Sequence, residues 1–147
     1  MQNILRVAAY AVCVHDDRLL LARWVARDGT RSWMLPGGGM EHGEDPYDTV
    51  VREVTEETGY TVAPRALLGV DSYRNPRDPR PLGRHADFHA LRVLYTAEVT
   101  GGELRDEVGG STDRAAWYPL AEVPELTRAP LVDHALRLWR ERPPVGR

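Results

Sequence analysis

The chain has 147 residues, 42% hydrophobic and 28% charged, with a net charge of -3. That length carries one domain with a real core and leaves little for a second, and the acidic balance argues against a general nucleic-acid binder. All 19 basic residues are arginine, which excludes both a phosphate-loop lysine and a Schiff-base lysine.

Val7–Val14, rich in Val and Ala, reads as a buried strand. Cys13 lies in it as a small apolar residue. As the single cysteine it allows no intrachain disulfide and no cysteine zinc cluster, and a reducing compartment fits. Arg6 before this run resembles a signal peptide only superficially, because the run leads straight into a turn and a second apolar segment. We therefore expect a cytoplasmic protein, and no stretch approaches membrane-spanning length. His15–Arg18 is that turn, and Leu19–Trp24 completes a hairpin. Arg27–Thr30 is a second turn. Trp33–Leu35 is a short apolar run cut off by Pro36 and by Gly37–Gly39, which reads as loop.

The clearest helix follows. Asp45 stands at its N-cap, Pro46 at its first position and Gly59 at its C-terminal cap. Between them Tyr47, Val50, Val51, Val54 and Thr58 recur at helical spacing as one apolar stripe. Val62–Val70 reads as a strand interrupted near Pro64. Asp71–Asp87 reads as a long loop, with Pro76, Pro79, Pro81 and Gly83 among the arginines Arg74, Arg77, Arg80 and Arg84; such loops are usually functional or mobile. Phe88–Val99 is a long apolar strand closed by Gly101-Gly102. A polar stretch, a short strand at Ala115–Leu120 and an amphipathic helix at Leu131–Arg140 complete the order, with a frayed tail expected from Pro143. Strands, helix, strands, helix predict a mixed sheet covered by helices, in the α/β or α+β range.

The chemistry concentrates on the first helix. Glu53, Glu56 and Glu57, at i, i+3 and i+4, share an arc of about 100°, roughly 120° from the apolar stripe. On an exposed helix such like-charge spacing costs only about 0.2–0.5 kcal/mol per pair, so a solvated acidic face is the bland explanation. In a cleft the balance changes. At an effective dielectric near 20, two charges about 5 Å apart repel by roughly 3 kcal/mol, and the cluster needs a cation or a proton. Hard oxygen ligands with no nearby cysteine favour Mg²⁺ or Mn²⁺. Arg52 beside this face can pair with Glu56 or reach back to Glu44. The three glycines allow close backbone approach to a ligand, but their spacing is neither the dinucleotide nor the phosphate-loop pattern.

Together these residues resemble the Nudix signature: Gly38, Glu44, Arg52, Glu53, Val54, Glu56, Glu57, Gly59 and Tyr60 fall at its positions, and all seven fixed ones match. Tyr60 is the mildest departure, at a place more often aliphatic. Trp33–Gly38 before the signature, and Gly101-Gly102-Glu103, an acidic loop and Trp117 after it, are similar to the family's flanks. The resemblance implies one domain over residues 1–147, an α/β/α sandwich with a mixed sheet, and metal-dependent hydrolysis of a nucleoside diphosphate linked to another moiety. ADP-ribose, nucleotide sugars and nucleoside triphosphates are the substrate classes it admits. It implies that Glu53 and Glu57 bind the metal directly, Glu56 directly or through water, and the Gly38 carbonyl as well, while Glu44, Arg52 and Gly59 hold loop and helix in register. The general base is Glu56 or Glu57, or an acid after the long strand: Glu107 first, then Asp106 or Asp113.

Substrate contacts are less legible. Arg23, Arg27 and Arg74 are candidates for phosphate, and Trp24, Tyr73 and Phe88 for a base, though core or loop packing is the better explanation of each aromatic. The partner expected is a small nucleotide-type molecule, with no nucleic acid and no membrane. A homodimer is admitted, but no interface is marked. Two alternatives share the fold. One is an ADP-ribose-binding module without turnover, which usually lacks some of these carboxylates. The other is an isoprenoid-diphosphate isomerase, whose cysteine would not be expected at Cys13.

Overall fold

The computed structural model describes residues 1–147. The elements are β1 (Gln2–Val12), β2 (Val14–His15), β3 (Arg18–Val25), β4 (Arg31–Met34), β5 (Gly37–Gly39), α1 (Pro46–Thr58), β6 (Tyr60–Pro79), β7 (His85–Gly102), β8 (Thr112–Pro119) and α2 (Pro130–Glu141). One sheet is mixed, in the order β5-β1-β7-β6, with β1 parallel to β7 and the other pairs antiparallel. The second is antiparallel, with β3 central between β4 and β8, and β2 paired to the start of β3. Helix α1 packs on β1, β5, β6 and β8, and α2 on β6 and β1. This is the expected α/β/α sandwich with a mixed sheet.

Strand alternation divides the core in two. Leu19 and Leu21 join Leu131, Val132, Ala135 and Leu138 of α2, whereas Leu20 between them joins Val50 and Val54 of α1. Val12 faces the α2 side, while Ala9, Ala11 and Cys13 face α1. Successive residues of a strand point to opposite faces, so a strand apolar at every position is the mark of a sheet covered on both sides. Each fully buried Leu contributes about 1.5–3 kcal/mol. Burial pushes the Cys13 thiol up to about 12, consistent with an inert core residue.

Three expectations are corrected. The segment 71–87 is not a loop: β6 continues from Tyr60 to Pro79 against β7, with register shifts that include one at Pro64, the interruption expected there, and only residues 80–84 turn. Its prolines are tolerated because β6 is the edge of the sheet, and a register shift between Asn75 and Asp78 absorbs Pro76. Gly37–Gly39 is a short strand antiparallel to β1, not a loop. The tail is not frayed at its end: the Gly146 carbonyl accepts from the Val70 N–H at 3.3 Å, and Gly146 lies against Gly69 with no room for a side chain between them.

Candidate active site

Local chemistry places α1 as expected. Asp45 accepts from the Tyr47 N–H at 2.9 Å, and Gly59, at φ 82°, ends the helix by donating to the Thr55 carbonyl. The apolar stripe buries Val50 and Val54, which turns Glu53 and Glu57 toward β5.

Those two carboxylates face a cleft of about 710 Å³, floored by β1, β5 and β7. Glu57 is only 3% exposed, and the Gly37 N–H donates to its Oε2 at 3.4 Å. Burial, then the charge of Glu53, push its pKa well above the usual carboxylate range, and Glu107 adds to the rise. Burial also raises Glu53, partly offset by Arg52. Both shifts say that ionised carboxylates are costly here, chiefly because the site is withdrawn from water and secondly because the two face each other. Glu56 is different: its side chain is 48% exposed and accepts from Arg52 Nη1 at 3.4 Å. No three acidic, histidine or cysteine side chains therefore converge closely enough to form a closed ion cage.

The glycines explain themselves here. A Cβ on Gly38 would lie 2.8 Å from the Glu53 carboxylate, and one on Gly39 would overlap the Arg6 guanidinium. Gly37, at φ 150°, lies so close to the Ala9 carbonyl that a side chain cannot fit. β5 is thus a strand of glycines because two charged side chains and a neighbouring backbone occupy the space that side chains would take.

Arg52 ties the parts together. Its Nε and Nη2 fork onto Glu44 at 2.8 and 2.9 Å, Nη2 also donates to the Gly39 carbonyl at 3.1 Å, and Nη1 reaches Glu53 at 3.0 Å. Glu44 accepts further from the Thr49 hydroxyl at 2.6 Å and the Glu41 N–H at 3.1 Å, and Arg52 holds it down to about 2. The loop before α1, the strand β5 and the acidic face are cross-linked through one guanidinium.

After β7 come three acids with distinct positions, Asp106 and Glu107 in the loop and Asp113 at the start of β8. Asp113 is paired with Arg23 and Arg31 at 2.9 and 3.0 Å, and Asp106 accepts from the Ala115 N–H at 2.9 Å. Glu107 Oε1 accepts from the Thr112 hydroxyl at 2.7 Å and its N–H at 3.2 Å. Thr112 lines the cleft, and the charge of Glu107 is felt by Glu57.

The arginines expected at the substrate are not brought to the cleft. Arg23 is forked onto Asp113, Arg74 onto Asp87, and Arg27 is exposed in the β3–β4 turn. Arg6, Arg92 and Arg128 line it instead, with Trp24, Tyr73 and Phe88 on the walls. Arg92 is paired with Asp71 and lies over the Tyr73 ring at 5.1 Å, and Arg128 is paired with Asp133, but no such pair holds Arg6. Residues 6, 8 and 10 share one face of β1, and Ala8 sits opposite Arg92. The run Val7-Ala8-Ala9 shows no alternation that would mark Arg6 as a cleft residue, and the parallel pairing that brings Arg92 beside it is not visible in the sequence either.

A family model described as NUDIX domain matches residues 4–139. An ADP-ribose pyrophosphatase of Methanocaldococcus jannaschii is 34% identical over 121 residues, covering 82% of this chain and 65% of that protein. An 8-oxo-dGDP phosphatase of Homo sapiens is 32% identical over 139 residues, 93% of this chain and 39% of that protein. The chain thus spans less than two thirds of the length of either relative. Among solved structures, a NUDIX hydrolase of Nitrosomonas europaea superposes with a TM-score of 0.77 at 26% identity, over 93% of this chain and 89% of that one.

Proposed function

The chain belongs to the NUDIX family, and we propose that it is a divalent-metal-dependent pyrophosphohydrolase that cleaves the diphosphate of a nucleoside diphosphate linked to another moiety. The observation that carries this reading is the placing of two carboxylates, Glu53 and the 3% exposed Glu57, side by side in the cleft beside β5, with Glu57 paired to no arginine. The residues fit a hard cation: carboxylate and carbonyl oxygens from Glu53, Glu57 and Gly38, with no cysteine or histidine lining the cleft. Glu56 joins that set only by exchanging its contact with Arg52, or through water. A bound Mg²⁺ or Mn²⁺ would neutralise phosphate oxygens and acidify the attacking water.

The protein's own groups do the rest. Arg6, which no carboxylate holds, offers charge to the phosphates, with Arg92 beside it already shared with Asp71; an in-line, charge-dispersed displacement needs positioning and cations more than a covalent nucleophile. Tyr73, Phe88 and Trp24 form flat apolar walls for a base or sugar. Glu107 is the first choice of base, because its Oε1 is fixed by Thr112 while its charge reaches Glu57. Diphosphates attached to nucleosides are the shared element of the relatives' named substrates, ADP-ribose and 8-oxo-dGDP.

The test is a screen of ADP-ribose, nucleotide sugars, dinucleotides, nucleoside diphosphates and triphosphates with Mg²⁺ or Mn²⁺, with ¹⁸O-water to identify the phosphorus attacked. Metal-dependent release of a nucleoside phosphate is expected. A Mn²⁺ concentration 100-fold above Kd should stabilise the fold by about 2.7 kcal/mol, or roughly 5–10 °C in Tm. No turnover on any class, together with no metal-induced shift, would sink the proposal. Arg6→Gln is expected to lower kcat/KM by about 10–100-fold, the value of a charged hydrogen bond to phosphate, mainly through KM. Its Tm should stay unchanged, since Arg6 is exposed and unpaired; a fall mainly in kcat would move Arg6 from binding to the chemical step.

A further inference from the structure

A second cavity of about 690 Å³ lies at the tip of the β6–β7 ribbon, lined by Arg77, Arg80, Arg84 and His85 with Pro81 and Leu82. No acidic residue lines it. One carboxylate faces the cluster from outside, Asp78, which pairs with Arg80 Nη2 at 3.0 Å. The guanidinium of Arg80 is stacked over the Phe88 ring at 5.3 Å, and its Nε is the one buried side-chain nitrogen or oxygen in the protein without a hydrogen-bond partner. A buried donor left unmade costs about 1–3 kcal/mol, more when charged, so its retention in a stacked, oriented guanidinium needs a reason. The turn is itself held, by the Arg80 N–H donating to the Arg84 carbonyl at 2.8 Å.

We propose that this cavity is a second anion site, which takes a phosphate group through the guanidinium groups of Arg77, Arg80 and Arg84 that line it. Guanidinium donors match the spacing of phosphate oxygens, and three of them face one space without a competing carboxylate in its lining. The site shares a sheet face with the catalytic cleft. Gln2 and Ala86 lie opposite each other at the cavity, while Ala8, on the same face of β1, lies opposite Gly39 at the acidic end. Six residues of strand separate them, about 20 Å. A ligand phosphate here is therefore not one of those attached to the scissile bond. It is a separate molecule or the far end of an elongated one, and the inference stands on this cavity without resting on the proposed reaction.

The test is nuclear magnetic resonance of the arginine Nε–H groups in the full chain, titrated with inorganic phosphate, with AMP and with adenosine at constant ionic strength. Saturable movement of the Arg80 resonance is expected with phosphate and AMP and not with adenosine. Equal affinity for the two assigns the site to free phosphate, and tighter binding of AMP to an esterified one. The double variant Arg77→Gln/Arg84→Gln should weaken this binding at least tenfold without changing hydrolysis of a short substrate, and Glu57→Gln should leave it intact. An unmoved Arg80 resonance, movement matched by adenosine, or undiminished affinity in the double variant would overturn the assignment.

Discussion

Replacing Glu57 by glutamine is expected to cut kcat by about 10³-fold or more and, at the same time, to raise the Tm of the metal-free protein. The first effect follows from loss of a charged oxygen at the proposed ion site: about 4 kcal/mol of transition-state stabilisation corresponds to roughly 10³ in rate. The second follows from burial. Glu57 is 3% exposed, faces Glu53 and feels Glu107, so in the metal-free fold its ionised form is opposed from three directions. Glutamine keeps the shape and the acceptor for the Gly37 N–H and removes the charge. A gain of about 1 kcal/mol, or 2–4 °C, is expected.

The pH dependence has a definite sign. The folded pKa of Glu57 is raised above its unfolded value, so its favourable contribution is fully present below the unfolded value, near 4.5. That contribution is lost as pH rises through the folded value. Metal-free wild type should therefore lose stability as pH rises above about 4.5, and Glu57→Gln should flatten that slope, leaving the smaller part due to Glu53. Calorimetry with chelator across pH 5–8 and steady-state kinetics at saturating Mg²⁺ check both halves. Wild-type turnover, or a lower metal-free Tm at pH 8, would show that Glu57 is neither ligand nor electrostatically strained.

The helix and its acidic face are legible in the sequence because local rules agree there: Asp45 caps, Pro46 starts, Gly59 stops, and the stripe of Val50 and Val54 leaves the carboxylates on one side. Glu44 and Arg52 are legible through the same spacing. β6 is not. Proline and arginine between Pro76 and Arg84 signal a loop to any local reading, and only the position of β6 at a sheet edge, with a register shift to absorb Pro76, permits a strand. β5 fails for a related reason: glycine is locally a strand breaker, and the demand for three of them comes from Arg6, Glu53 and the Ala9 carbonyl, all distant in sequence. The substrate arginines show the same limit. Arg23 and Arg74 look available until Asp113 and Asp87 are seen to hold them, and Arg92 becomes a cleft residue only through the parallel pairing of β1 with β7.

Arg52→Ala should weaken fold and catalysis together, and Arg52→Lys should restore only part of either. The wild-type side chain forks onto Glu44, donates to the Gly39 carbonyl and reaches Glu53, so its loss leaves Glu44, Glu53 and Glu56 facing one another with no cation between them. Breaking a fully buried pair costs about 3–5 kcal/mol; with the Arg52 side chain 24% exposed and water able to screen its partners, about 2 kcal/mol is a fairer figure. That corresponds to roughly 4–8 °C in Tm. The catalytic loss, about 100-fold, arises because Glu53 and β5 are no longer held in register, the scale seen when groups that orient metal ligands are removed. Lysine supplies the charge but a single ammonium, which cannot span Glu44, Gly39 and Glu53 at once, so it should recover much of the stability and little of kcat. That split distinguishes positioning from simple charge balance. If lysine restores both equally, Arg52 serves only to neutralise its carboxylates, and the cross-link between β5 and α1 is not what aligns the site.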